Sequence, residues 1–597
     1  TVAMSSSTRE LAAITKNAAD AQANKAYIDR FVNGEVKADK TISIDPGIGV
    51  INMGDGNGAD SKQLLTFLTP LMSPGTEQRV RVDQGKNSYI TNLTIIGDAK
   101  AWTINDGVSS SVMDVSNIVT RVVDSNGNLK KEIGVVVNAG AGDDTLIAGA
   151  SQTEYNGGTG NNSISYANFG GNSGIDVYVT DYGFKVIKNL KAVQTYQESI
   201  KSETVTYGKR SETVQYREFT LVTKDIYAED HLYSVNNIMG TDGNDTIRGN
   251  DANNVIAGGR GADNLSGNGG DDRFMQNLNL ECDRLDGGSG NDTVDYSVSK
   301  FTNSQRDNMG SVGVWADLSG GKIYKYKGYN NGIYDTVSNI ENVLGSTLND
   351  ILIGDDKNNI LSGNDGSDTI YGGGGDDSLI GGVGADSLNG GSGDDKFAQN
   401  INLESDTLDG DDGNDTVDYG SLNTFANGVR DLMGATGIWA DLSAGKIYKY
   451  KEYNNGIYDT VRNIENVIGT TLNDTLLGDE KDNVLSGGDG NDRLSGGAGN
   501  DNLLGGLGAD TLLGGDGDDR FSQNINWEYD TLDGGAGVNT ADYSTVTTLI
   551  NGARDLMGST GVVADLAGGK IYKYRGYNYS IYDTVSHIQN VVGTSLN

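Results

Sequence analysis

The sequence predicts a mainly all-β chain whose C-terminal three-fifths is a set of parallel β-roll solenoid blocks with β-rich capping flanks. Three observations carry this. A nine-residue phrase, G-G-x-G-x-D-x-(apolar)-x, repeats in strict register, most plainly at Gly487–Leu494, Gly496–Leu503 and Gly505–Leu512. The chain of 597 residues holds 87 glycines and only 3 prolines, so the glycine excess is not collagen-like. Short β-like runs, such as Val80-Arg81-Val82 and Val135-Val136-Val137, occupy much of the stretch before the repeat.

Taken in order, residues 1–40 read as a helical segment. Ser7 and Glu10 fit a capping box. Leu11, Ile14, Ala18, Tyr27, Ile28 and Phe31 give an apolar stripe at helical spacing. Residues 41–235 read as a β-rich domain broken by Asn, Asp and Gly. One imperfect repeat lies inside it at Gly140–Leu146, with a partner at Gly157–Asn162 that carries Asn in the acidic place.

From about residue 236 the chain is a repeat of repeats, divided at 236–344, 345–468 and 469–597. Trp315, Trp439 and Val563 fall at equal intervals in the same phrase. Each block runs from a nonapeptide ladder through a spacer and one more repeat to a flank such as Ile323–Tyr329, where Tyr alternates with Lys. That alternation predicts a strand with one aromatic face. Solenoids need their cores closed, so the flanks read as caps.

The acidic position recurs at Asp245, Asp263, Asp272 and Asp292 in the first block. It recurs at Asp350, Asp368, Asp377, Asp386, Asp395 and Asp415 in the second, and at Asp474, Asp492, Asp501, Asp510 and Asp519 in the third. Asp144 holds it in the isolated copy upstream, and Asn254, Asn359 and Asn483 substitute for it with one charge fewer and an oxygen retained. Glycines adopt positive φ at little cost, which lets a six-residue turn aim its carbonyls inward. Carbonyls plus one carboxylate per turn form a hard, all-oxygen set of the kind calcium takes with loose geometry. Zinc would call for His or Cys, and the chain has 2 histidines and 1 cysteine, Cys282. The apolar residue two places after the acid faces inward and builds a thin core. Turns two repeats apart stack on one side, so a shared ion couples binding to folding.

The charge agrees with this. The formal net charge is −37 and only 36% of residues are hydrophobic. Such a chain repels itself and gains little from burial. About a dozen divalent ions would offset most of the charge. The same charge argues against nucleic acid as a partner. Neither His231 nor His587 lies in a catalytic motif, so the segment reads as non-enzymatic. The phrase Gly593–Asn597 breaks off where its earlier copies continue into Asp350 and Asp474, so the chain reads as a piece of a longer protein.

The region before the repeats narrows the reading further. Glu10–Lys16, Lys25–Asp29, Leu64–Pro70, Gln84-Gly85-Lys86, Tyr207–Glu212 and His231–Val235 resemble, in order and separation, the segment that follows the hydrophobic domain of RTX pore-forming cytolysins. The resemblance implies that Lys86 and Lys209, both in Gly-Lys contexts, carry covalent fatty acyl groups added by a dedicated acyltransferase. Asn87 follows the first and Arg210 the second, so the two need not be modified equally. It further implies export by type I secretion machinery, calcium-driven folding outside the cell, and engagement of a target-cell membrane and a host surface receptor, β2 integrin being the family's example. The interrupted ladders are most similar to the adenylate cyclase toxin branch, which would place an enzyme domain upstream. A surface-layer or adhesin protein with the same ladders is the alternative.

Overall fold

The structure, a computed structural model, describes residues 143–594 apart from 149–152, 168–173, 181–182, 208–209, 280, 298–311, 326–332, 403, 421–435, 450–456, 524–527, 545–560 and 576–579, together with the strands between Val2 and Asn138. Every regular element among the described residues is a strand. The helix expected over 1–40 lies outside them, apart from the strand Val2–Ala3.

The chain divides into two compact units, Thr1–Asp292 and Thr293–Asn597. In the second unit the nine-residue period sets the topology. Each repeat supplies one short strand, and successive strands go to opposite sheets. A strand therefore pairs in parallel with the strand two repeats on. In one sheet Leu352 pairs with Ile370, Ile370 with Leu388, and Leu388 with Leu408. In the other, Val343, Leu361, Leu379, Phe397 and Val417 form a matching column. The apolar residue two after each acid is the inward one: Ile370, Leu379, Phe397, Leu494, Leu503 and Leu512 are all 0% exposed.

The core is only one side chain deep on each sheet. A buried leucine contributes about 2 kcal/mol, several-fold less than the conformational entropy that nine ordered residues lose. Packing alone therefore does not hold a repeat in place. The turns explain the glycines. Gly382 sits at φ 109°, and a methyl group on it would come within 1.8 Å of the Asn364 carbonyl. Only glycine lets neighbouring turns stack that closely.

The flanks depart from the parallel pattern and return to it. Thr436–Asp441, Lys446–Tyr448 and Tyr458–Arg462 form an antiparallel meander. Its last strand pairs in parallel with Thr407–Asp412, and its first with Asn473–Leu477 at the start of the next ladder. The aromatic face lies on the outside. Trp439 stacks on Tyr448 with ring centroids 5.1 Å apart, and Lys446 Nζ lies 4.2 Å from the Tyr458 centroid. Ile447 and Lys449 point the other way and are fully buried.

The first unit uses the same alternation further upstream than the nonapeptides predict. Thr41–Ser43, Leu64–Leu68 and Asn92–Ile96 pair in parallel in one sheet. Val50–Met53, Arg79–Gln84, Ala101–Asn105 and Val135–Asn138 do so in the other. The β character expected over 41–235 is thus largely parallel. The imperfect repeat at Asp144 stacks directly on the first ladder, with Leu146 against Ile164 and Ile164 against Ile238. One antiparallel arm interrupts this unit. Gly183–Tyr207 and Arg210–Tyr233, of 25 and 24 residues, pair from Phe184↔Leu232 to Tyr207↔Arg210. At about 3.4 Å per residue the arm is on the order of 80 Å long. Its returning end rejoins the roll beside Glu154–Asn156.

Candidate calcium-binding site

The acidic column is built by hydrogen bonds that step eighteen residues, or twenty at the end of a ladder. Asp350 donates its backbone N–H to Asp368 Oδ1 at 2.7 Å, Asp368 to Asp386 at 2.8 Å, and Asp386 to Asp406 at 2.9 Å. On the other side Asn359 donates to Asp377 at 2.7 Å, Asp377 to Asp395 at 2.8 Å and Asp395 to Asp415 at 2.8 Å. The third block repeats the pattern through Asp474, Asp492 and Asp510, each donating to the acid one turn on, and through Asp501 and Asp519. In the first block Asp245 donates to Asp263, and Asp272 to Asp292.

One oxygen of each accepting carboxylate is satisfied in this way, and in several of them the other is not. Oδ2 of Asp272, Asp368, Asp377, Asp395, Asp415, Asp492, Asp501 and Asp519 is buried and receives no hydrogen bond. A buried, unmatched carboxylate oxygen costs several kcal/mol unless a cation meets it. Each such oxygen looks into a cradle with no room for a side chain. A methyl group on Gly363 would lie 2.0 Å from Asp368 Oδ2 and 2.7 Å from the Gly381 carbonyl. On Gly372 it would lie 2.2 Å from Asp377 Oδ2 and 2.5 Å from the Gly390 carbonyl. Carboxylate and carbonyl oxygens of successive turns converge there.

Burial pushes these acids up the pH scale, and the carboxylates of adjoining turns push in the same direction. Asp263, Asp368 and Asp492 rise to about 8, and Asp377, Asp501 and Asp510 to about 7. Without a cation the stacked turns would hold protons near neutrality. Among the described residues no three His, Cys, Asp or Glu side chains gather into one cluster. Each slot instead offers one orphaned carboxylate oxygen and glycine carbonyls. That all-oxygen donor set fits calcium, and the wide φ range of glycine lets several carbonyls reach one ion.

The profile for the N-terminal domain in RTX proteins matches residues 1–122. The profile for the RTX calcium-binding nonapeptide repeat matches 136–164, 238–274, 283–297, 344–379, 371–397, 403–425, 468–503 and 495–522, the stretches that carry the orphaned oxygens. The chain belongs to the RTX family. Cytolysin RtxA of Kingella kingae is 34% identical over 251 residues, which is 40% of this chain and 26% of that protein. The chromosomal hemolysin of Escherichia coli is 34% identical over 257 residues, 39% of this chain and 24% of that one. The leukotoxin of Aggregatibacter actinomycetemcomitans is 34% identical over 248 residues, 39% and 23% respectively. These matches span about a quarter of each relative's length, at 26%, 24% and 23%.

Within the RTX ladders the structure sorts the predicted acids into two kinds. At Asp245, Asp350 and Asp474 both carboxylate oxygens accept from protein donors. Thr241, Ser346 and Thr470, four residues earlier, donate N–H to their Oδ2 at 2.7, 2.6 and 2.7 Å. Ile175, Val314 and Ile438 each donate N–H to Oδ1 at 2.5 Å. These first turns are closed by protein donors alone. Asn254, Asn359 and Asn483 are closed too. Their Oδ1 accepts the N–H four residues back at 2.8 Å, and their Nδ2 donates to a carbonyl one turn earlier at 2.9, 2.8 and 2.9 Å.

The residue four before the acid makes the difference. In the open turns it has positive φ, as in Asn268 at 75°, Asn364 at 73°, Gly373 at 112° and Gly497 at 112°. Its N–H then turns away from the carboxylate. Thr or Ser in that place was a sequence signal for a closed turn. Asp144 is buried, and its N–H donates to Asn162 Oδ1 at 3.0 Å, the same eighteen-residue step. Lys86 and Lys209 lie outside the described residues.

Proposed function

We propose that this RTX chain is the acylated segment and calcium-folded ladder of a secreted pore-forming cytolysin. The observation that carries the reading is the run of buried, unmatched Oδ2 atoms, one per open turn, with those of Asp368 and Asp377 beside glycine carbonyls of the next turn. Asp368, Asp377, Asp395 and Asp415 in the second block, with their counterparts in the first and third, would hold the ions. Bound calcium supplies the positive charge that lets these carboxylates stay ionised in the stack. The remaining work belongs to the chain. The glycines allow the turns to approach, the apolar column aligns them, and the N–H to Oδ1 ladder fixes their spacing.

In low calcium, inside the producing cell, the charge of −37 keeps the chain expanded and able to pass through a type I secretion channel. Outside, calcium folds it. Acyl chains on Lys86 and Lys209 then give a membrane anchor that an acidic surface does not supply. A host surface receptor would be met by the folded rolls. The names of the relatives, cytolysin, hemolysin and leukotoxin, favour this over a surface-layer or adhesin role. The segment itself performs no catalysis in this reading, its carboxylates being structural.

Calcium titration followed by circular dichroism tests the reading. The expected result is a cooperative gain of strand signal at millimolar calcium and its loss in excess chelator. Full strand signal in a metal-free chain at neutral pH would refute it.

A further inference from the structure

The second and third ladders each end on a buried cation of their own. In the open turns a carboxylate gives Oδ1 to the preceding turn and leaves Oδ2 to the slot it shares with the next. Asp406 keeps the first half of that arrangement, accepting the N–H of Asp386 at 2.9 Å. Its Oδ2, the atom orphaned in Asp368, meets Lys449 Nζ at 3.1 Å. Asp459 is next in the column. Its Oδ1 accepts the N–H of Asp406 at 2.8 Å and Lys449 Nζ at 2.8 Å, and its Oδ2 accepts the Tyr419 hydroxyl at 2.5 Å. Asn402 Oδ1 takes a further hydrogen bond from Nζ at 2.8 Å. Lys449 and Asp459 are 0% exposed.

The third block repeats the carboxylate and tyrosine contacts. Asp530 Oδ1 accepts from Asp510, and its Oδ2 meets Lys573 Nζ at 3.0 Å. Asp583 holds the same Nζ at 2.7 Å and the Tyr543 hydroxyl at 2.5 Å. After the first ladder Lys325 Nζ meets Asp335 at 2.7 Å, and Tyr296 donates to the same carboxylate at 2.7 Å.

We propose that Lys449 and Lys573 are the terminal cations of their ladders, each ε-ammonium filling the slot between the last repeat turn and the flank so that this slot takes no calcium. The chemistry matches. An ammonium has three donors and no acceptor, and Asp406 Oδ2, Asp459 Oδ1 and Asn402 Oδ1 are three acceptors around Lys449. Calcium takes six to eight oxygens. Burial works against the charge on Lys449, yet Asp459 and Asp406 hold its pKa above the ordinary value. The flank is therefore a joint in which a fixed cation already bridges two carboxylates before any metal arrives, and stacking can start from it. This assignment rests on the calcium reading of the open turns.

Counting calcium bound to the full chain, by equilibrium dialysis and atomic emission at saturating calcium, tests it. Asp368→Asn should lose at least one ion relative to the unmodified chain, while Asp406→Asn should lose none. Lys449→Ala should gain one ion, because the vacated slot then has two carboxylates and no cation. An ion lost from Asp406→Asn, no ion gained by Lys449→Ala, or a Lys449→Ala chain that calcium does not fold would each overturn the assignment. If the unmodified chain bound no calcium, the reading of the open turns would fail instead, so the two failures are distinguishable.

Discussion

Asp368 and Asp350 lie eighteen residues apart in sequence and one turn apart in the roll, joined by the N–H of Asp350 on Oδ1 of Asp368 at 2.7 Å. The two carboxylates nevertheless do different work. Both oxygens of Asp350 accept from Ser346 and Val314, whereas Oδ2 of Asp368 accepts nothing. The same pairing of a closed first turn with an open third turn recurs at Asp474 and Asp492.

That contrast predicts different losses from one chemical change. Asp492→Asn should lower the number of bound calcium ions and raise the calcium midpoint for folding about ten-fold, the effect of roughly 1.4 kcal/mol. Asp474→Asn should leave the ion count unchanged and cost about 1–3 kcal/mol through its lost hydrogen bonds. Calcium counting beside calorimetric melting separates the two. Equal ion loss from both variants would remove the distinction between open and closed turns.

Gly372 should not tolerate a methyl group. In Gly372→Ala the added carbon would lie 2.2 Å from Asp377 Oδ2 and 2.5 Å from the Gly390 carbonyl. The expected penalty is about 1–3 kcal/mol or more, together with a loss of calcium affinity. Calcium-dependent denaturation midpoints of the variant and the parent provide the comparison.

Acid should partly replace calcium. A carboxylate titrates near 3.9 in an unfolded chain, whereas burial raises Asp263, Asp368 and Asp492 to about 8 in the roll. The metal-free roll therefore binds more protons than the unfolded chain. Its stability is greatest below about pH 4 and is lost as pH rises through 7 to 8. A chain freed of calcium by dialysis should gain strand signal between pH 8 and pH 5. In the presence of calcium, protons compete for the same oxygens, so the calcium midpoint should rise as pH falls below 7. A metal-free chain whose dichroism is flat across that range would contradict the assigned burial.

The core column should matter as much as the ligands. Leu494 is 0% exposed and pairs with Leu476 and Leu512 on its two sides. Leu494→Ala should destabilise the calcium-loaded third block by about 2–5 kcal/mol, without reducing the number of ions bound at saturation. Thermal melting at fixed high calcium measures the first, and dialysis the second.

Acylation is checked by intact mass. Co-expression with a family acyltransferase should add fatty acyl mass at Lys86 and Lys209, and Lys209→Arg should remove one of the two additions. Unmodified lysines under those conditions would leave the membrane anchor without support.

Much of this molecule was legible from residue order alone, because a nine-residue period with glycine, acid and apolar side chain at fixed places admits few ways to stack. Leu494, Leu503 and Leu512 had to face inward, and turns two repeats apart had to meet on one side. Which aspartates stay open was decided by the backbone. The φ of Asn364 or Gly373, four residues before the acid, determines whether an N–H reaches the carboxylate, and a consensus phrase does not show that angle. The parallel pairing upstream of residue 143 was hidden because its strands follow no fixed spacing. The place of Lys449 was hidden for another reason. Alternation with Tyr marks a two-faced strand, but only the fold sets the lysine face between Asp406 and Asp459, where burial turns an ordinary surface charge into a fixed internal cation.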